Sequence, residues 1–365
     1  MNIIDSIRDD ILSLDNYKAG RSPKTAAGRK IKLSSNENRF GVSSKASDAV
    51  TLALKEGLSV YPDSRMVNLK NAVVGFWKRR DINITVDNLI FGDGSGEVLN
   101  LILAAFLNDG DKVVIPEHSF ILYRLLSIPK GAEVIEVKRR DFAVDLDKLA
   151  IETANRNAKV VIFSNPDNPT STFADRDKIK TFLDKIPETV AVVLDEAYIH
   201  FAGLENSCAD FVAEYPNLII THTFSKAYGL AGLRVGYGIM SSEVAVQLEK
   251  IRLPFNLGAL QQAGASAALE DEDFLDMTVR KTAAGRDFIL TELRKSGITV
   301  LDAYGNFVFA DFGDSTQAIW ENLERNGITV RMLSDFGFGD NFVRITVGTD
   351  EDNGFLIEKI REVLL

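Results

Sequence analysis

The sequence predicts an α/β protein: a large domain with a mostly parallel sheet between helices, followed by a smaller α+β domain at the C-terminal end. Two observations predict it. Short β-rich runs alternate with helical stretches over most of the chain, the pattern of crossover units that lay strands parallel. Past Asp271 the order changes to one long charged helix and then a run of strands. The 365 residues also exceed one minimal domain and can bury a large core. On these grounds the chain divides into an arm (1–40), a large domain (41–270) and a small domain (271–365).

The arm reads as a short helix and then a polar, basic stretch with Lys18, Arg21, Lys24, Arg29 and Lys30. Helical spacing follows at 44–55. Strands are expected at 88–91, 112–115, 134–137, 159–163, 190–194 and 218–221, with a buried helix at 97–107. In the small domain a helix over 274–295 precedes strands near Val300 and at 307–312, 329–332 and 342–347. A helix at 352–364 closes the chain.

Composition narrows the function. Apolar residues at 45% and charged residues at 26% fit a globular enzyme. A formal charge of −10, from 52 acidic and 42 basic residues, repels phosphate backbones, so nucleic acid is not an expected partner. A single cysteine, Cys208, allows no internal disulfide, and with His118, His200 and His222 it makes no spaced metal-ligand set. The N-terminal ten residues carry Asp5, Arg8, Asp9 and Asp10, unlike a signal peptide, and the longest strongly apolar stretch, 101–107, is too short to span a bilayer. The expected setting is the cytoplasm.

Four motifs carry chemistry. In Thr223-Phe224-Ser225-Lys226-Ala227-Tyr228-Gly229, with Arg234 following, an amine sits among hydroxyls and small residues. Desolvation and a nearby cation would strip its proton, while the hydroxyls and Arg234 suit a phosphate dianion; a solvated surface lysine is the plainer reading. In Val192-Val193-Leu194-Asp195-Glu196-Ala197-Tyr198 an apolar strand delivers Asp195 at its C-terminal end, where open α/β sheets place ligands. Asp195 could keep a pyridine nitrogen protonated or simply cap the next helix. In Ser164-Asn165-Pro166-Asp167-Asn168-Pro169-Thr170 two Asn-Pro steps make a stiff turn that could aim Asn168, or be an ordinary loop. Gly92-Asp93-Gly94-Ser95-Gly96-Glu97 lies between a strand and a helix, so backbone N–H groups could meet a phosphate; it fits neither the dinucleotide fingerprint nor the P-loop.

As an ordered set these motifs resemble those of the fold-type-I aminotransferases that use pyridoxal 5′-phosphate (PLP), and more closely the histidinol-phosphate aminotransferase family. The resemblance runs from about Leu33 to the C-terminus and includes Leu33-Ser34-Ser35-Asn36-Glu37-Asn38, Tyr61-Pro62-Asp63, Pro254-Phe255-Asn256 and Val343-Arg344-Ile345-Thr346-Val347-Gly348. It implies that Lys226 holds PLP covalently and moves the proton at the substrate Cα. It implies that Asp195 pairs with the pyridinium nitrogen and that Tyr198 and Asn168 bond the ring hydroxyl oxygen. Gly94, Ser95, Thr223, Ser225 and Arg234 would surround the cofactor phosphate. Tyr61 would reach the phosphate in a neighbouring subunit, making the active unit a homodimer. Arg344 would clamp a carboxylate, with Asn36 beside it.

The implied reaction moves an amino group between L-histidinol phosphate and 2-oxoglutarate. Tyr17, Arg21, Arg331 and an Asn256 from the other subunit would serve the substrate phosphate, which Arg344 would also meet in that half-reaction. Two departures stand out. Arg39 follows Asn-Glu-Asn where the family has Pro, and the segment expected to stack a ring on PLP reads Pro116-Glu117-His118-Ser119-Phe120-Ile121-Leu122-Tyr123. His118 is the first candidate for that ring and Phe120 the second; a core Phe beside a hydrogen-bonded His is the structural alternative. An aromatic amino-acid aminotransferase, a PLP decarboxylase and a non-catalytic regulator module remain as other readings.

Overall fold

The first strand, β1 (Ile31–Lys32), belongs to the small domain. The next seven are β2 (Leu89–Asp93), β3 (Lys112–Pro116), β4 (Glu133–Val137), β5 (Val160–Ser164), β6 (Ala191–Asp195), β7 (Leu218–Thr223) and β8 (Val235–Ile239). They form one sheet in the order β2-β8-β7-β6-β5-β3-β4. From β7 to β4 all neighbours run parallel, and β8 is antiparallel to both β7 and β2. The computed structural model describes residues 2–14, 20–23 and 30–364.

Helices cover both faces of this sheet, which is why β5, β6 and β7 open on apolar runs and are buried throughout, polar C-terminal ends included. Side chains alternate between the faces. Val192 and Leu194 of β6 join Leu69, Val73, Phe76 and Trp77 of the helix Val67–Lys78. Ala191 and Val193 join Val98 and Ile102 of the helix Gly94–Phe106. Each fully buried Val or Leu contributes about 1.5–3 kcal/mol, so the layered core carries most of the stability.

Strand β8 was not expected, because Gly236 and Gly238 break its apolar pattern. Both glycines allow close approach. A Cβ at Gly236 would meet the backbone of Gly94 and Ser95, and one at Gly238 would press on Ile90 and Val98. Bare backbone at these positions lets the helix Gly94–Phe106 lie directly on the sheet.

The small domain holds β9 (Thr299–Val300), β10 (Phe307–Asp311), β11 (Ile328–Thr329), β12 (Arg331–Met332) and β13 (Phe342–Thr346). Four of them make an antiparallel sheet, β12-β13-β10-β9, packed against the helices Glu272–Lys295, Thr316–Arg325 and Asp350–Leu364. The stretch 329–332, expected as one strand, is two: β11 pairs parallel with β1, Ile31 opposite Ile328, while β12 pairs with β13. Each half has one apolar and one polar residue, so the change of partner leaves no mark in the pattern. Ile31 and Leu33, in the segment read as an arm, are buried in the small-domain core. Leu33 is bonded on both sides, its N–H to Thr329 O (2.8 Å) and its carbonyl accepting from Thr346 N (2.9 Å).

Candidate active site

Three neighbouring parallel strands end at one place. β5 runs into the loop carrying Asn168, β6 ends on Asp195, and β7 ends on Thr223, ahead of Ser225 and Lys226. Parallel strands with crossover helices converge their C-terminal ends on a common crevice. Here they border a cavity of about 210 Å³ that also meets Ser95, Phe120, Tyr123, Tyr198, Arg234 and Arg344.

Lys226 Nζ donates to Ser35 O at 3.2 Å and lies 5.6 Å from the Tyr198 ring centre. Burial, helped by Arg344 and Arg234, lowers its pKa to about 7, so the amine is largely neutral just above neutral pH. Asp195 is buried, and burial pushes its pKa up. Three donors oppose that rise: Tyr123 Oη at 2.9 Å, Thr221 Oγ1 at 3.0 Å and Ala197 N at 3.2 Å. Charge-assisted bonds of this kind favour the carboxylate form.

Asn36 Nδ2 donates to Tyr198 Oη at 3.1 Å, and Thr346 Oγ1 donates to Asn36 Oδ1 at 3.2 Å. Arg344 Nη1 donates to Asn168 Oδ1 at 2.5 Å and Nη2 to Ser34 O at 3.1 Å. The 34–38 segment thereby ties a small-domain arginine to the large-domain loops. The Asn168 loop has both Asn-Pro peptides in cis. Beneath it a buried ion pair, Arg139–Asp167 at 2.9 Å, also engages Glu117 O at 2.8 Å.

Arg234, in the left-handed region at φ 54, donates to Ser225 Oγ at 3.3 Å, and its carbonyl accepts from Gly94 N at 3.0 Å. Gly94, with φ +72, stands where any Cβ would collide with the Arg234 guanidinium. The start of the helix Gly94–Phe106, the hydroxyls of Ser95, Thr223 and Ser225, and Arg234 thus surround one patch at the cavity edge. Such a donor set suits a dianion.

The structure corrects one sequence candidate. His118 does not border the cavity: at φ 54 its ring turns away onto Phe338 (4.7 Å between centres) and Gly337. Phe120 borders it instead. The left-handed turn at His118 reverses the side-chain directions that an extended segment would have. Other candidates lie elsewhere in the chain. Tyr61 is 78% exposed and stacks on Phe255; Asn256 donates to Phe91 O (3.1 Å) and Glu97 Oε2 (3.0 Å) rather than facing the cavity. Arg331 borders the cavity and also a wider one of about 830 Å³ that reaches Arg21 and Trp320. Tyr17 lies outside the described residues. Arg39, the departure from Pro, pairs with Asp352 at 3.0 Å and anchors the 34–38 segment to the last helix.

Tyr123 and Phe336 are among the cavity residues to which sequence reasoning gave no role. Tyr123 is buried and bonds Asp195; only its place in the same short segment as Phe120 hinted at it. Phe336, beside Arg331 and Arg344, had no signal at all.

A doubly covered, mostly parallel sheet that sets a desolvated lysine beside a strand-end carboxylate is the architecture of fold-type-I aminotransferases. The chain belongs to the aminotransferase class I and II family, whose model matches residues 28–360. Within it the chain is 37% identical to the histidinol-phosphate aminotransferase of Methylobacillus flagellatus, over 92% of this chain and 89% of that protein. It is 32% identical to histidinol-phosphate aminotransferase 1 of Idiomarina loihiensis, over 99% and 98%. The crystal structure of histidinol-phosphate aminotransferase from Sinorhizobium meliloti in complex with pyridoxal-5′-phosphate superposes with a TM-score of 0.88 at 28% identity, covering 98% of this chain and 97% of that one. No helix among the described residues is long and apolar enough to cross a membrane.

Proposed function

We propose that this aminotransferase uses PLP to move the amino group of L-histidinol phosphate to 2-oxoglutarate. One observation carries the reading: a partly buried amine, a buried carboxylate and an anion cradle border the same small cavity. The residues fit the cofactor. Gly94, lacking a Cβ, lets the Arg234 guanidinium lie against the start of the helix, so that a cation and backbone N–H groups stand together for a phosphate, and Asp195 offers a negative charge to a ring nitrogen. Bound there, PLP would supply an aldehyde that accepts amines and a protonated ring that withdraws electrons from Cα.

The roles of the chain's own residues follow. Lys226 Nζ, whose ammonium form burial disfavours, would hold the cofactor and would serve as the base for the proton at the substrate Cα. Asp195 would keep the ring nitrogen protonated, Tyr198 and Asn168 would hold the ring hydroxyl oxygen with Phe120 as the aromatic neighbour of the ring, and Ser95, Thr223, Ser225 and Arg234 would hold the phosphate. Arg344 receives the carboxylate of the oxo acid. Arg331, buried with its Nε lacking a hydrogen-bond partner among the described residues, receives the substrate phosphate where the two cavities meet. Arg21 borders the wider cavity from the arm.

We also propose a homodimer in the cytoplasm with shared sites. Arg234 is exposed in the single chain, so the phosphate cradle has an open side, and Leu58, Val60, Tyr61 and Leu253 are exposed apolar groups.

The test is a substrate panel. kcat/KM should favour histidinol phosphate over phenylalanine and tyrosine, with Arg331→Gln lowering it by roughly 100-fold for the phosphate donor, since a charged hydrogen bond contributes about 1.5–3 kcal/mol. A preference for the aromatic amino acids would replace the donor, and CO₂ release would replace the reaction. Tyr123→Phe should keep the cofactor and lower kcat by roughly 10- to 100-fold, because Asp195 loses a charge-assisted hydrogen bond. An unchanged kcat would remove Tyr123 from this account.

A further inference from the structure

Tyr61 and Phe255 form a parallel ring pair on the surface, centres 4.5 Å apart and planes 19° from parallel. Tyr61 is 78% exposed and Phe255 39%. Phe255 holds φ 59, a left-handed conformation that a bulky side chain adopts only under constraint. The constraint is visible. The next residue, Asn256, is locked by donating to Phe91 O and Glu97 Oε2 and by accepting from Arg252 Nη1 at 2.8 Å. Arg252 Nη2 also donates to Ser64 O at 2.9 Å, and Gln262 Nε2 to Asp63 O at 3.0 Å, so the two loops are fastened together. Glu97 sits in the first turn of the helix that begins at Gly94, the cradle helix. Strained backbone and a stacked but solvent-facing ring pair give one chain little packing in return.

We propose that Phe255 is a positioning residue acting in trans: it fixes the Tyr61 ring so that the hydroxyl meets the cofactor phosphate held by a second copy of the chain. This rests on the shared-site dimer proposed above. An exposed tyrosine otherwise spreads over several rotamers, and a flat partner on one face leaves it few. Asn256 then serves as the anchor that aims Phe255, tying the aim of Tyr61 to the same helix whose start cradles the phosphate in its own subunit.

The test uses the full-length dimer and PLP affinity measured by absorbance on titration of the apoprotein. Phe255→Ala should weaken PLP binding about tenfold while the dimer mass is kept, and Phe255→Tyr, which keeps the flat face, should bind as wild type. Phe255→Ala added to Tyr61→Ala should weaken binding no further than Tyr61→Ala alone. Hybrid dimers separate the layers. In a hybrid of Phe255→Ala with Lys226→Ala, the one competent site receives Tyr61 from the chain with intact Phe255, so turnover per competent site should return to the wild-type value. If Tyr61→Ala is not rescued by Lys226→Ala in the same format, the shared-site reading fails. If Tyr61→Ala is rescued but Phe255→Ala is not, or if Phe255→Ala is monomeric or binds PLP normally, the positioning role fails while the shared site stands. Should the alanine chain not accumulate, Phe255→Leu, bulky but not flat, is read in the same way.

Discussion

Lys226→Ala is expected to abolish the yellow absorbance of the bound cofactor and to lower turnover by about 10⁴-fold or more, since it removes both a nucleophile and a general base. The wild-type apoprotein carries a matching pH signature. Burial, then Arg344 and Arg234, disfavour the ammonium form, while Glu37 and Asp195 oppose them, with a net pKa of about 7. Only the neutral amine attacks an aldehyde. The rate of covalent PLP uptake should therefore climb through about pH 7 and level off above it, far below the ordinary lysine range near pH 10.4. Arg344→Gln takes away one of the two guanidinium charges and should move that midpoint upward. Stopped-flow absorbance across pH checks both. A rate still climbing in the ordinary lysine range would mean that the amine is solvated and that the reading of this cavity is wrong.

Asp195→Asn is expected to lower kcat by roughly 10³-fold at saturating PLP, in line with removing a preorganised charge from a buried site. Stability should respond differently. Burial raises the Asp195 pKa in the folded chain above its unfolded value. Such a group contributes stability that is fully present below the unfolded pKa and is lost as pH rises through the folded one. At neutral pH the charged carboxylate therefore weighs against folding. Asparagine keeps hydrogen-bonding contact with Tyr123, Thr221 and Ala197, since the Tyr123 hydroxyl can accept as well as donate. The apoprotein of Asp195→Asn should thus melt no lower than wild type while its activity collapses, a trade of stability for function. A variant that unfolds early would make Asp195 a structural residue first. One that turns over normally would detach it from the ring nitrogen.

The strand-end placement of Asn168, Asp195 and Lys226 was legible because each follows a buried strand that opens on an apolar run, and a strand's length and period are written locally. The aromatic beside the ring was not. His118 and Phe120 are two residues apart and compete for one position, and a single positive φ at His118 decides between them. The Tyr123–Asp195 bond joins positions 72 residues apart, and nothing local foretells it. β8 escaped because its glycines serve a helix packed on it.

By itself the sequence determined the alternation of strands and helices, the presence of a large and a smaller domain, and the residue types able to bind an amine, a pyridine nitrogen and a phosphate. These depend on side-chain period and on chemistry carried within a few neighbouring residues. Tertiary structure alone decided that Arg344 meets Asn168 across the domains, that residues 328–332 split between two sheets, that Phe120 rather than His118 faces the cavity, and that Phe255 backs Tyr61. Those outcomes depend on how distant segments pack and on backbone turns that packing imposes, and neither is encoded in any one stretch of chain.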